Sequence, residues 1–99
     1  MIVVLTAEAE SDLEAIGDYI AQDNPARALT FISEVREQCA TLADFPNRFP
    51  LVPRYEAMGV RRRVFGNYAL FYRTEASRVT VLHILHGARD YEAILSACN

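Results

Sequence analysis

"VRRRVFGNYALFYRTEASRVTVLHILH", residues Val60–His86, keeps a period of two over most of its length. Val60, Arg62 and Val64 fall on one face of the pattern, and Arg61, Arg63 and Phe65 on the other. Tyr68, Leu70 and Tyr72 then alternate with Ala69, Phe71 and Arg73. Successive side chains of a strand point to opposite faces, so this is a β pattern and not a helical one. Gly66-Asn67 is a two-residue hairpin signal. "TEAS", Thr74–Ser77, reads as a second turn. Arg78–His86 is apolar on both faces, as in a central strand. The stretch predicts a three-stranded meander, stopped by Gly87.

Upstream the period changes. "IVVL", Ile2–Leu5, is a short continuous apolar run, the pattern of a strand buried on both faces. Thr6 can cap a helix whose apolar face is Ala9, Leu13, Ile16 and Ile20. Acids crowd its first turns, which suits the positive end of the helix dipole. Pro25, with Asn24 as cap, opens a second helix. Its expected stripe is Leu29, Ile32, Val35, Cys39 and Leu42. Residues 6–44 therefore predict an antiparallel helical hairpin. "FPNRFPLVP", Phe45–Pro53, holds three of the four prolines and reads as a rigid connector, neither a regular helix nor a central strand. Past Gly87, Asp90 can cap a short tail helix carrying Ile94 and Leu95.

The expected architecture is a single α+β domain over residues 1–99. Its order is strand, helix, helix, three-stranded meander and short C-terminal helix, with the hairpin packed on one face of a small sheet. The first strand sits at an edge, and its pairing direction is open.

Composition narrows the function classes. The chain is 52% hydrophobic and 23% charged, as globular domains are. No apolar run reaches the roughly 18 residues of a membrane span. The N-terminus is apolar for four residues and then acidic, which is not a secretory pattern, so a cytoplasmic protein is expected. Cys39 and Cys98 lack paired spacing and read as reduced thiols. All ten basic residues are Arg. They are unevenly placed: residues 1–49 hold nine acids and three Arg, residues 50–99 four acids and seven Arg. The net charge of −3 argues against stable direct DNA binding. A local Arg surface can still grip carboxylates or phosphates.

Individual chemistries fare differently. His83 and His86, three apart on a strand, are expected on opposite faces, and no metal site or other cofactor is read from them. Four separated glycines build no phosphate-cradling loop. Cys39 lies in an apolar stripe and reads as core filling. Arg61, Arg62 and Arg63 read either as edge protection or as an anion-binding or partner groove. His86, Arg89, Asp90 and Tyr91 offer the residue types of an RNA-cleaving site. They serve equally as strand end, cap and packing groups.

"GNYALFYR" (Gly66–Arg73) followed by "VLHILHGARDYEAIL" (Val81–Leu95) resembles the ParE branch of the RelE/ParE toxin superfamily. "LEAIGDYIA" (Leu13–Ala21) and "NPARALTFI" (Asn24–Ile32) are similar to that family's helical hairpin. The most specific part is "HGARD", His86–Asp90. The resemblance implies the toxin of a type II toxin–antitoxin module, neutralised by a ParD-like antitoxin with a ribbon-helix-helix domain, and acting on DNA gyrase by binding it. The related RelE-like toxins instead cut mRNA on the ribosome, and a non-toxic remnant or regulatory partner is a third implied possibility. Arg62 and Arg89 match basic positions of the nucleases. Ala69 follows Tyr68 where they often carry Arg, Leu95 falls near their C-terminal catalytic Tyr, and Lys is absent. The resemblance thus favours a gyrase binder. Its expected target- or antitoxin-binding residues are Arg61, Arg62, Arg63, Tyr68, Tyr72, Arg73, His86, Arg89 and Asp90. The nuclease alternative would use Arg62, His86, Arg89 and Tyr91.

Overall fold

The computed structural model describes residues 1–87 and 91–96. The order is β1 (Ile2–Leu5), α1 (Ala7–Ala21), α2 (Pro25–Thr41), β2 (Arg61–Phe65), β3 (Tyr68–Glu75), β4 (Arg78–His86) and α3 (Tyr91–Ser96). One 3-10 turn, Glu56–Met58, interrupts the connector. The sheet runs β1-β4-β3-β2, with β1 parallel to β4 and the other pairs antiparallel.

Both helix caps are local chemistry. Thr6 Oγ1 accepts the Ala9 amide at 3.0 Å, and Asn24 Oδ1 accepts that of Arg27 at 3.0 Å. These satisfy amides that have no partner in the first turn of a helix. Pro25 follows Asn24, where its missing N–H costs nothing.

α1 also finishes the edge of β4. β1 ends at Leu5, opposite Val81. Beyond that point the Thr6 amide donates to Val81 O, and the Thr6 hydroxyl donates to Leu82 O, each at 3.0 Å. Asp12 Oδ2 then accepts the Ile84 amide at 3.1 Å and meets His83 Nδ1 at 2.8 Å. Side chains of one helix thus replace a missing strand. The register of β3 against β4 shifts at Phe71/Tyr72, so that Phe71 faces His83 while Tyr72 faces Val81. Leu82 is the extra residue, and a bulge of this kind re-aims the side chains around it.

Two apolar layers flank the sheet. The inner one joins the hairpin (Leu13, Phe31, Val35, Cys39, Leu42) to Leu70, Tyr72, Val79, Val81 and Ile84. The outer one joins Ala69, Phe71, Leu82 and Leu85 to Val52 and Val60 of the connector and Leu95 of α3. The connector therefore does more than span a gap. Its Leu51 bridges Arg61, and the Arg62 amide donates to Pro50 O, so it lines the free edge of β2.

Several sequence expectations need correction. Leu29 is 73% exposed, and the buried stripe of α2 is Ala28, Phe31, Val35, Cys39 and Leu42. Several apolar positions of α2 can start a helical stripe. Phe31 wins because its ring reaches Phe65 and Tyr68, at 6.2 and 5.1 Å between centroids. β1 is not buried on both faces: Ile2 is 65% exposed. Val3 and Leu5 pack inward, and the outer layer takes no residue from β1. The second hairpin turn is Ala76-Ser77 alone, since Thr74 and Glu75 pair with Val79 and Arg78. Ala76 adopts φ 53° there.

Gly17 of α1 lies close against Ile32 of α2. A Cβ there would lie 2.7 Å from Ile32 Cδ1. Gly17→Ala asks Ile32 to shift but gains up to about 1 kcal/mol in helix propensity. Gly17→Leu has no such room and is expected to destabilise by about 1–3 kcal/mol, read as a lower urea midpoint.

Burial pushes the Cys39 thiol up to about 11, against smaller opposing effects of Arg36 and Arg63. In an unfolded chain a thiol ionises at about pH 8.5. Because the folded value is raised, the stabilising effect is whole below about pH 8.5 and is lost as pH rises towards about 11. Urea melts at pH 8, 9 and 10 are expected to show this decline, and Cys39→Ala is expected to flatten it.

Candidate functional site

The expected site residues divide into those that hold the fold and those that face outward. Arg61 and Arg63 belong to the first group. The Arg61 guanidinium donates to Phe49 O at 2.7 Å and Asn47 O at 3.2 Å. Arg63 donates to Gln38 O at 3.1 Å and Thr41 Oγ1 at 2.5 Å, capping the end of α2. Its Cζ also sits 4.9 Å from the Phe49 ring centroid. Tyr72 is fully buried, and its hydroxyl donates to Pro46 O at 2.7 Å. These three side chains stitch the proline-rich connector to the sheet. The polar ends of Arg61 and Tyr72 give its carbonyls the partners that an irregular segment would otherwise lack, while Arg63 touches it through the Phe49 ring.

Arg73 is held by its neighbours. Its Nε donates to Glu75 Oε1, while Glu75 Oε2 accepts from Thr80 and lies 3.8 Å from Arg78. The Arg73 hydrogen bond, with smaller help from Thr80 and Arg78, holds the Glu75 carboxyl below its usual range.

Arg62 is different. It shares the face of β2 opposite Arg61 and Arg63, as the alternation requires. Its Cζ lies 5.7 Å from the Tyr91 ring centroid, and Tyr91 in turn packs on Phe71 at 5.2 Å. The planar cation is thereby set against an aromatic wall. A cleft of about 380 Å³ opens beside it. Tyr68 and His86 close the far side, their rings edge-on at 5.4 Å. Asn67 and Gly87 form the end wall, where the Gly87 amide donates to Asn67 O at 2.7 Å. A Cβ on residue 87 would meet that same oxygen at 3.3 Å, so the tight closure favours glycine.

The structure therefore brings Arg62, Tyr68, His86 and Tyr91 into one cleft from β2, β3, β4 and α3. Arg89 and Asp90, and with them the expected cap of α3, lie outside the described residues. No Asp or Glu is among the described residues lining the cleft, and Arg62 is its one formal charge there. One guanidinium among aromatic and imidazole rings suits a planar or anionic group: a carboxylate, a phosphate or a stacked ring. Among the described residues no three His, Cys, Asp or Glu side chains are grouped to hold a metal ion. No helix among them is long and apolar enough to cross a membrane.

Sequence reading missed the role of the connector and of Tyr55. The Tyr55 hydroxyl donates to Glu92 O at 2.9 Å, and Arg54 pairs with the Glu92 carboxylate at 3.3 Å. These bonds tie α3 down beside Arg62. Prolines signalled rigidity in this segment, but no pattern signalled its partner.

Comparison with known proteins follows the same lines. Residues 3–91 match the family model described as the ParE toxin of the type II toxin–antitoxin system parDE. A chain of the chromosomal ParDE toxin–antitoxin system of P. aeruginosa superposes with a TM-score of 0.75 at 26% identity, covering 87% of this chain and 95% of that one. A chain of the RelBE2 toxin–antitoxin complex of Mycobacterium tuberculosis superposes with a TM-score of 0.63, also at 26% identity, covering 86% and 95%. No curated protein matches the sequence significantly.

Proposed function

Because the chain belongs to the ParE toxin family of type II toxin–antitoxin systems, we propose that it arrests growth by binding DNA gyrase, without covalent chemistry of its own, through the cleft beside Arg62. The observation that carries this reading is the make-up of the cleft: a cation seated on Tyr91, aromatic walls and no carboxylate among its described lining residues. Such a surface recognises an acidic or planar group on a partner.

The partner that restrains this activity is a cognate antitoxin of the ParD type, with a ribbon-helix-helix domain and an acidic tail that competes for the same cleft. The two structural neighbours named above come from a toxin–antitoxin system and a toxin–antitoxin complex. An acidic tail would associate faster at low salt, since screening weakens steering between exposed charges.

The test is a supercoiling assay with purified gyrase. Inhibition with trapped, cleaved DNA is expected. Full supercoiling at a large excess of folded toxin would sink the proposal.

A second reading has its own observation. Arg62, His86 and Tyr91 converge on one cleft, and the chain also resembles RelBE2. A ribosome-dependent mRNA nuclease would use such a set to bind phosphate and move protons. It predicts codon-positioned cuts in transcripts after induction, lost in Arg62→Ala. Intact transcripts in arrested cells would dismiss it.

A further inference from the structure

We propose that a second groove, between α1 and the sheet end formed by β3 and β4, is a docking site for an amphipathic segment of a partner protein that inserts an Arg or Lys side chain. The groove has a volume of about 550 Å³. Ile16, Tyr19, Ile84 and Leu85 give it apolar walls, and Asp12 lies within it. It is separate from the Arg62 cleft, although Asn67, Tyr68 and His86 form a wall common to both.

Asp12 makes the groove specific. Its Oδ2 is already taken by the Ile84 amide and His83 Nδ1. Oδ1 carries no hydrogen bond among the described residues, and the side chain is 21% exposed. The carboxylate is therefore fixed by two donors and turned partly towards the groove. A fixed carboxylate at the edge of an apolar trough fits a long side chain with an aliphatic stem and a cationic head. The ring of Tyr19, a residue 69% exposed, adds an aromatic surface for that head or for the apolar face of the segment.

The surrounding charge selects the same occupant. α1 carries Glu8, Glu10, Asp12, Glu14 and Asp18 and no basic residue. Glu10 pairs with Arg36 at 2.9 Å, whereas Glu8, Glu14 and Asp18 form no ion pair among the described residues. No Arg is among the described residues that line the groove. An acidic segment is repelled here and a basic one is steered in. The two surfaces thus ask for opposite signs on either side of the ridge formed by Tyr68 and His86. The proposal does not depend on which target the Arg62 cleft engages.

The test uses the full chain, isotopically labelled for NMR, with two synthetic amphipathic helical peptides. They share one Leu-rich face. One carries a central Arg, and the other carries citrulline, its neutral near-isostere, at that position. The Arg peptide is expected to shift the amides of Asp12–Tyr19 and of Tyr68 and Ile84–His86, and to bind at least about tenfold more tightly than the citrulline peptide. Tyr19→Ala, which leaves the core untouched, is expected to weaken the Arg peptide about five- to tenfold. Asp12→Asn is expected to abolish the preference for Arg over citrulline. Equal affinity of the two peptides overturns the proposal, as do shifts confined to the Arg62 cleft. So does a dimer of the free chain, by sedimentation, that buries these same amides: the occupant is then a second copy.

Discussion

Cells induced to express an Arg62→Glu chain without antitoxin are expected to keep growing, while the chain stays folded. Arg62 is the charged side chain among the described residues that line the cleft, and its ring contact with Tyr91 is the interaction at stake within the domain. Losing an exposed cation–π contact costs about 0.5–1 kcal/mol, so the melting temperature should fall by only a few degrees. Reversing the charge does far more to a partner. It places a carboxylate where an anionic or planar group must dock, and loss of one member of a buried interfacial charge pair costs about 2–5 kcal/mol. That corresponds to roughly 30- to several-thousand-fold weaker binding. The measurement is growth after induction, paired with thermal melting and a gyrase pull-down. Arg78→Glu serves as the control, because Arg78 lies at the opposite end of β4 and its ion pair with Glu75 is long, at 3.8 Å. Growth arrest by a folded Arg62→Glu chain would remove the cleft from the mechanism.

The second large effect belongs to the fold. Asp12→Ala is expected to destabilise the domain by about 2–4 kcal/mol. Two groups lose their acceptor at once: the Ile84 amide, on a residue 1% exposed, and His83 Nδ1, in a side chain 10% exposed. A buried donor left without a partner costs about 1–3 kcal/mol. For a domain of this size the melting temperature should drop by on the order of 10–25 °C. Asp12→Asn keeps one acceptor oxygen and should lose about half as much. Hydrogen exchange at the Ile84 amide checks the assignment directly. It is expected to accelerate far more in Asp12→Ala than in Leu29→Ala, whose side chain already faces solvent. Equal exchange in the two variants would mean that α1 does not seal the edge of β4.

The candidate site was legible as a set of residue types and hardly at all as a geometry. "RRR" announced charge on a strand, and the period of two placed Arg62 opposite Arg61 and Arg63. What it did not announce is which face the helical hairpin covers. That choice makes Arg61 a brace for the connector and Arg63 a brace for the end of α2, and leaves Arg62 facing the cleft. Tyr72 and Tyr68 share one face and differ only in distance from the sheet end. Tyr72 lies under the connector, with its hydroxyl on Pro46 O, while Tyr68 reaches His86. His83 and His86 were expected on opposite faces from spacing alone. A register shift beside them and the carboxylate of Asp12, 71 residues upstream of His83, govern where His83 points.

What the sequence determined by itself is therefore local. Two helix caps, two glycine- or turn-marked hairpins, a proline-rich break and a switch from helical to strand period specify the elements and their order. Each rests on backbone chemistry within a few residues. Tertiary structure alone decided the parallel pairing of β1, the winning stripe of α2, the outer apolar layer beneath α3 and the meeting of Arg62 with Tyr91. Each depends on groups from distant segments competing for one space, and volume and hydrogen-bond satisfaction select among stripes, faces and registers that a linear pattern leaves equivalent.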